Sequence, residues 1–130
     1  MQLHGIDHIV LRTKNTPRLL QFYQYVLGAE LERTLENEGL YQLRAGNALI
    51  DILSVYGDID EGQEPHYPSS PLAHVCLAIH AANEQAVSRH LRSRGITQQL
   101  TFATRYGATG FGRSLYIQDP DGNKVELKLV

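Results

Sequence analysis

The feature that most constrains this chain is a succession of elements that occurs twice. "HIVLRT" at 8–13 and "HVCLAI" at 74–79 each read as a strand that begins on histidine and alternates apolar residues to one side. After the first strand, "NTPRLLQFYQYVLGAE" reads as a helix with Thr16 as N-cap, Pro17 at the first helical position and Gly28 as the stop. Leu19, Leu20, Tyr23, Val26 and Leu27 supply its apolar stripe. After the second strand, "NEQAVSRHLRSRG" reads the same way, between an Asn83 cap and a Gly95 stop. Three short strands are expected behind each helix. In the first half they fall at about 30–35, 39–44 and 48–55; in the second, near 96–104, 113–118 and 123–129, the last two joined by an Asp-Pro-Asp-Gly turn. Between the halves, Gly57 to Pro71 is polar and carries Pro65, Pro68 and Pro71, the texture of a linker.

The chain therefore reads βαβββ, linker, βαβββ: a single domain over 1–130, made of module 1 (4–56), a linker (57–71) and module 2 (72–130). The class is α+β, with paired modules forming a curved mixed sheet and the helices outside. The inner face would carry His8, Val10, Arg12, His74, Cys76 and Ala78, a far more polar set than the Ile, Leu and Val residues behind it. Open sheet edges on each half favour a homodimer. Composition narrows the function classes. With 42% hydrophobic and 20% charged residues the chain is an ordinary globular one. A net charge of −2 and no basic face argue against nucleic acid. Cys76 is the one cysteine, which excludes an intrachain disulfide and suits a reducing compartment. No apolar run approaches the roughly 18 residues of a membrane helix, and "MQLHGIDHIVLRTK" has no basic leader. The expectation is a cytoplasmic protein with no membrane partner.

A carboxylate interrupts the last strand of each half: Asp51 in "ALIDILSV" and Glu126 in "KVELKLV". Singly, these residues have bland readings. A histidine at a strand start is more often surface than ligand, and Glu126 between Lys124 and Lys128 looks like a solvent-facing edge. The repetition of histidine and carboxylate at matching places favours a site. Neutral imidazoles with carboxylates suit a divalent ion such as zinc, nickel, iron(II) or manganese, with positions left open for substrate. His4, His66, His80 and His90 lack that context and read as surface, and Cys76 reads as a small buried residue. "RYGATGFGRS" (105–114) is expected to be a flexible loop or a lid, with Arg105 and Tyr106 against an anionic substrate.

"DHIVLRT", "FYQYVLGAEL", "ALIDIL", "LAHVCLAI" and "YIQDPDGNKVELK" together resemble the vicinal oxygen chelate superfamily, which groups glyoxalase I, fosfomycin-resistance and bleomycin-resistance proteins and extradiol dioxygenases. The resemblance spans essentially the whole chain, and its tail looks closest to small glyoxalase-like proteins, some called virulence-associated. It implies metal ligands at His8, His74 and Glu126. At Asp51 glyoxalase I normally has glutamate; the shorter side chain leaves ligand and base both open. Arg12 matches an arginine that holds the glutathione carboxylate, whereas Val55 replaces a polar glutathione contact. The implied activity is lactoylglutathione lyase-type isomerisation through a metal-chelated enediolate, with Glu126 or Asp51 moving the proton. The substrate would be small, oxygenated and anionic, such as a thiol adduct. The alternatives are a fosfomycin-type epoxide-opening enzyme and a metal-free drug-binding protein of the bleomycin-resistance kind.

Overall fold

Alternating apolar residues make β1 (His8–Thr13), whose Leu11 is buried while Arg12 on the opposite side is exposed. α1 (Thr16–Gln21) follows and runs on as a π-helical turn, Phe22–Val26. Its cap is Asn15, one residue earlier than the sequence suggested. The Asn15 side chain accepts from the Arg18 N–H at 3.2 Å, and Pro17 falls in the first turn, where a missing N–H breaks no helical bond. Gly28, at φ +80°, turns the chain into β2 (Glu30–Leu35), β3 (Leu40–Ala45) and β4 (Ala48–Ser54). β2, β3 and β4 pair antiparallel and β1 joins β4 in parallel, giving the order β1-β4-β3-β2. Leu19, Phe22, Tyr23 and Val26 are buried, as are Leu11, Leu43, Ile50 and Ile52 of the sheet face on which α1 packs.

The computed structural model describes residues 1–60 and 72–130. The start of the expected linker belongs to the first half. A Cβ on Gly57 would lie 2.5 Å from the Glu38 carbonyl oxygen, so only glycine allows this approach to the β2–β3 turn. Asp58 N–H donates to the Asn37 carbonyl at 3.1 Å, and Asp60 is buried against Arg12. The rest of that segment, His66 included, lies outside the described residues. The chain divides into two units, 1–66 and 67–130.

The second unit repeats the first. β5 (Val75–Ile79), α2 (Glu84–Ser93), β6 (Ala103–Gly107), β7 (Gly110–Gln118) and β8 (Lys124–Leu129) give the order β5-β8-β7-β6, with β5 parallel to β8. Asn83 caps α2 by accepting from Ala86 N–H at 2.9 Å. Buried Asp119 organises the Asp-Pro-Asp-Gly turn: its side chain accepts from Asp121 N–H, Asn123 N–H and Asn123 Nδ2 at 2.8–2.9 Å. Two expectations fail here. Residues 96–102 are not strand, because Ile96 N–H closes the end of α2 on the Leu91 carbonyl and Gln98 is bonded to the Gln118 backbone. The 105–114 stretch is not a flexible loop. It is the β6–β7 hairpin, turning at Ala108 and Thr109.

Candidate metal and substrate site

In the second unit, the register places Cys76 of β5, Glu126 of β8 and Tyr116 of β7 in one row across the sheet. Ala78, Lys128 and Ser114 form the next row on the same face. His74 lies one residue before β5 and keeps that parity. Its Nε2 is 3.2 Å from Glu126 Oε2, and its ring meets the Tyr116 ring edge-on at 5.4 Å. Glu126 is only 6% exposed, so Lys124 and Lys128 do not mark a solvent face. Its Oε1 accepts from Ser114 Oγ at 2.6 Å, a length typical of a hydroxyl on an ionised carboxylate. Arg105 NH1 donates to the Ser114 carbonyl at 2.8 Å and to Ser114 Oγ at 2.9 Å, and its guanidinium stacks 4.4 Å from the Tyr116 ring centre. Lys124 Nζ lies 5.0 Å from the same ring.

Cys76 is exposed, not buried as its small size suggested. Its thiol pKa is raised, first by partial burial, then by the charge of Glu126 and a hydrogen bond to it; Lys128 pulls the other way. The group is therefore a thiol at neutral pH and a poor nucleophile. Lys128 is a functional-face residue that sequence reasoning missed. It is 4% exposed and its Nζ donates to the Gly110 carbonyl at 2.5 Å. Its stem crosses β6 and β7 where side chains are missing: a Cβ on Gly107 would sit 3.0 Å from Lys128 Nζ, and one on Gly112 2.9 Å from Lys128 Cε. Gly107 and Gly112 leave the channel for this lysine. Ser114 was missed too, although the Asp-Gly turn that pairs Gln118 with Lys124 already fixes which β7 residues neighbour Glu126.

In the first unit, His8, Val10, Arg12 and Asp51 share a face, with Val10 opposite Asp51 and Asp51 opposite Gln42. The His8 pKa is raised, chiefly by the hydrogen bond between Nδ1 and Asp7 Oδ1 at 2.6 Å, with Asp51 adding a smaller push. Asp51 is 3% exposed. Gln42 Nε2 donates to its Oδ2 at 3.0 Å, and Oδ1 is the one buried side-chain atom without a partner among the described residues. Arg12 forms a bidentate ion pair with Asp60, through Nε to Oδ2 and through NH2 to Oδ1 at 2.7 Å, so its guanidinium already holds a carboxylate. Tyr106 is placed away from Glu126: it pairs with Phe111 on the opposite face, 75% exposed, the two rings 5.0 Å apart.

The donor set suits a divalent ion. Two ligands at 2.0–2.1 Å on a tetrahedral ion are about 3.3 Å apart, and His74 Nε2 and Glu126 Oε2 are 3.2 Å apart. Asp51 Oδ1, buried and unpartnered, is an oxygen that a cation or a transferred proton would satisfy. Within neither unit do the described residues assemble three or more His, Cys, Asp or Glu side chains around one metal position.

A family model described as the glyoxalase/bleomycin resistance protein/dioxygenase superfamily matches residues 5–127. A virulence protein of Salmonella typhimurium is 30% identical over 98% of this chain and 85% of its own length. Its solved structure superposes with a TM-score of 0.75 at 27% identity, covering 99% of this chain and 98% of that one. Glyoxalase I of Saccharomyces cerevisiae is 27% identical over 93% of this chain, which spans only 42% of the yeast protein. A protein from the mobile metagenome of V. Pseudocholerae, 24% identical, shares the fold with a TM-score of 0.76 over 99% of this chain and 96% of that one.

Proposed function

Since the chain belongs to the glyoxalase/bleomycin resistance protein/dioxygenase superfamily, we propose that it is a metal-dependent enzyme of the glyoxalase type, acting on a small, oxygenated, anionic substrate. His8, His74 and Glu126 would hold the metal, which when bound supplies Lewis-acid stabilisation of negative charge on two vicinal substrate oxygens. The observation that carries the reading is the Glu126 carboxylate, buried and held so that Oε2 faces His74 Nε2 at 3.2 Å.

The chain's own residues divide the remaining work. Asp51 Oδ1, out of water and without a hydrogen-bond donor, takes the proton from the substrate carbon, while Gln42 fixes Oδ2 and so aims the carboxylate. Arg105, Lys124 and Lys128 put three cations on the Glu126 face, which favours an anionic substrate. Arg12 reaches a substrate carboxylate only by leaving Asp60, so an anionic tail would compete with that pair. Cys76, its thiol pKa raised, stays protonated and is a poor nucleophile toward substrate.

The test is isomerase activity on the adduct of methylglyoxal and glutathione, with and without zinc, nickel or manganese. Metal-dependent turnover that Asp51→Asn abolishes supports the reading. A metal-free drug-binding protein would keep His74 and Glu126 as a simple ion pair, and elemental analysis finding no bound metal would favour it.

A further inference from the structure

We propose that Arg105 and Ser114 are positioning residues that dictate which oxygen of Glu126 works in the site. The inference rests on the proposal that Glu126 is a metal ligand, and it goes beyond it by assigning the apparatus that orients that ligand. A guanidinium is always protonated and can only donate. Arg105 NH1 lies 2.9 Å from Ser114 Oγ, so that oxygen must accept from it. The single hydroxyl hydrogen is then left for one other partner, and Glu126 Oε1 stands 2.6 Å away. Arg105 is itself held twice more, by the Ser114 carbonyl at 2.8 Å and by the face of Tyr116 at 4.4 Å.

The relay is therefore one-way: guanidinium to hydroxyl to carboxylate. Ser114 is fully buried and Glu126 nearly so, which keeps competing water away from the link. With Oε1 committed to Ser114, rotation of the carboxylate is fixed and Oε2 is the oxygen presented beside His74 Nε2. The first half shows the same device in a second form: Gln42, directly across from Asp51 on β3, ties Oδ2 and leaves Oδ1 without a partner. In both halves a neighbouring strand holds one oxygen of the carboxylate and leaves the other for the site. Partners that orient a ligand in this way are commonly worth 10–100-fold in metal affinity.

The experiment is zinc binding by calorimetry on the full chain, stripped of metal with chelator, for wild type, Ser114→Ala, Arg105→Met and Glu126→Gln, with the melting temperature of each metal-free protein. The expected result is a loss of affinity of about 10–100-fold for Ser114→Ala and Arg105→Met, metal-free melting within a few degrees of wild type for Arg105→Met and lower for Ser114→Ala, which strands a buried carboxylate oxygen, and loss of zinc binding in Glu126→Gln. Wild-type affinity in Ser114→Ala and Arg105→Met, with binding lost in Glu126→Gln, overturns the positioning role and leaves the ligand standing. Wild-type affinity in Glu126→Gln, or no saturable binding by the wild type, overturns the ligand assignment and the positioning role with it. Should Ser114→Ala fail to fold, Arg105→Met decides: weaker binding at unchanged melting supports the proposal, and weaker binding only alongside a matching loss of melting temperature overturns it.

Discussion

Adding one methyl group at Gly112 should destabilise the protein measurably, because the space belongs to Lys128. The alanine Cβ would lie 2.9 Å from Lys128 Cε and 3.1 Å from the Leu129 carbonyl oxygen. The first clash involves a flexible side chain, but that side chain is buried and anchored on Gly110. The second involves backbone of the adjoining strand. Overpacking of this kind costs about 1–3 kcal/mol, and losing glycine's freedom in the unfolded chain returns about 0.4–1 kcal/mol. The net for Gly112→Ala is about 1–2 kcal/mol of destabilisation, a fall in melting temperature of roughly 3–10 °C for a chain of this length. A double-mutant cycle with Lys128→Ala isolates the cause. Truncating the lysine removes the Cε contact and leaves the Leu129 contact, so the cost of Gly112→Ala should shrink without vanishing. Urea unfolding of the four proteins measures it. A Gly112→Ala protein as stable as wild type, or one whose loss is unchanged in the Lys128→Ala background, would refute the view that these glycines exist to pass a buried lysine.

Three further outcomes are expected. Glu126→Gln keeps an oxygen for Ser114 and should melt within a few degrees of wild type, whereas Glu126→Ala strands the buried Ser114 hydroxyl and should cost about 1–3 kcal/mol, as denaturant titration would report. Cys76, its thiol pKa raised, should react slowly with iodoacetamide at neutral pH, and faster in Glu126→Gln, which removes the neighbouring negative charge; equal rates at pH 7 would be the contrary result. A homodimer whose sites are shared between chains predicts that His8→Ala and Glu126→Ala proteins, each unable to bind zinc, recover part of the binding when refolded together. A monomeric mass at full zinc content contradicts that.

Much of the fold is legible in the sequence where the signal is local. Alternation gives β1 and the three strands of the first half to within about a residue, and Asn83 and Gly95 bracket α2. The turn at Asp119 is equally plain, because its chemistry is carried by the residues that make it. The failures arise where partners distant in sequence decide. Ile96 looks like the start of a strand and instead closes a helix end, and Lys128 looks solvent-exposed because the glycines that admit it lie on β6 and β7. The repeat of histidine and carboxylate pointed to Glu126 and His74, which do come together, but not to Ser114 or Arg105 as the groups that hold Glu126. Arg12 and Asp60, 48 residues apart, form an ion pair that no strand pattern could foretell.

Diffraction at the zinc absorption edge, from crystals of the zinc-loaded protein, tests the metal centre most directly. One anomalous peak per chain is expected within about 2.0–2.2 Å of His74 Nε2 and Glu126 Oε2, with a His8 imidazole completing the protein ligands. A zinc bound elsewhere, or an unmetallated pair in which His74 and Glu126 contact only each other, would contradict it.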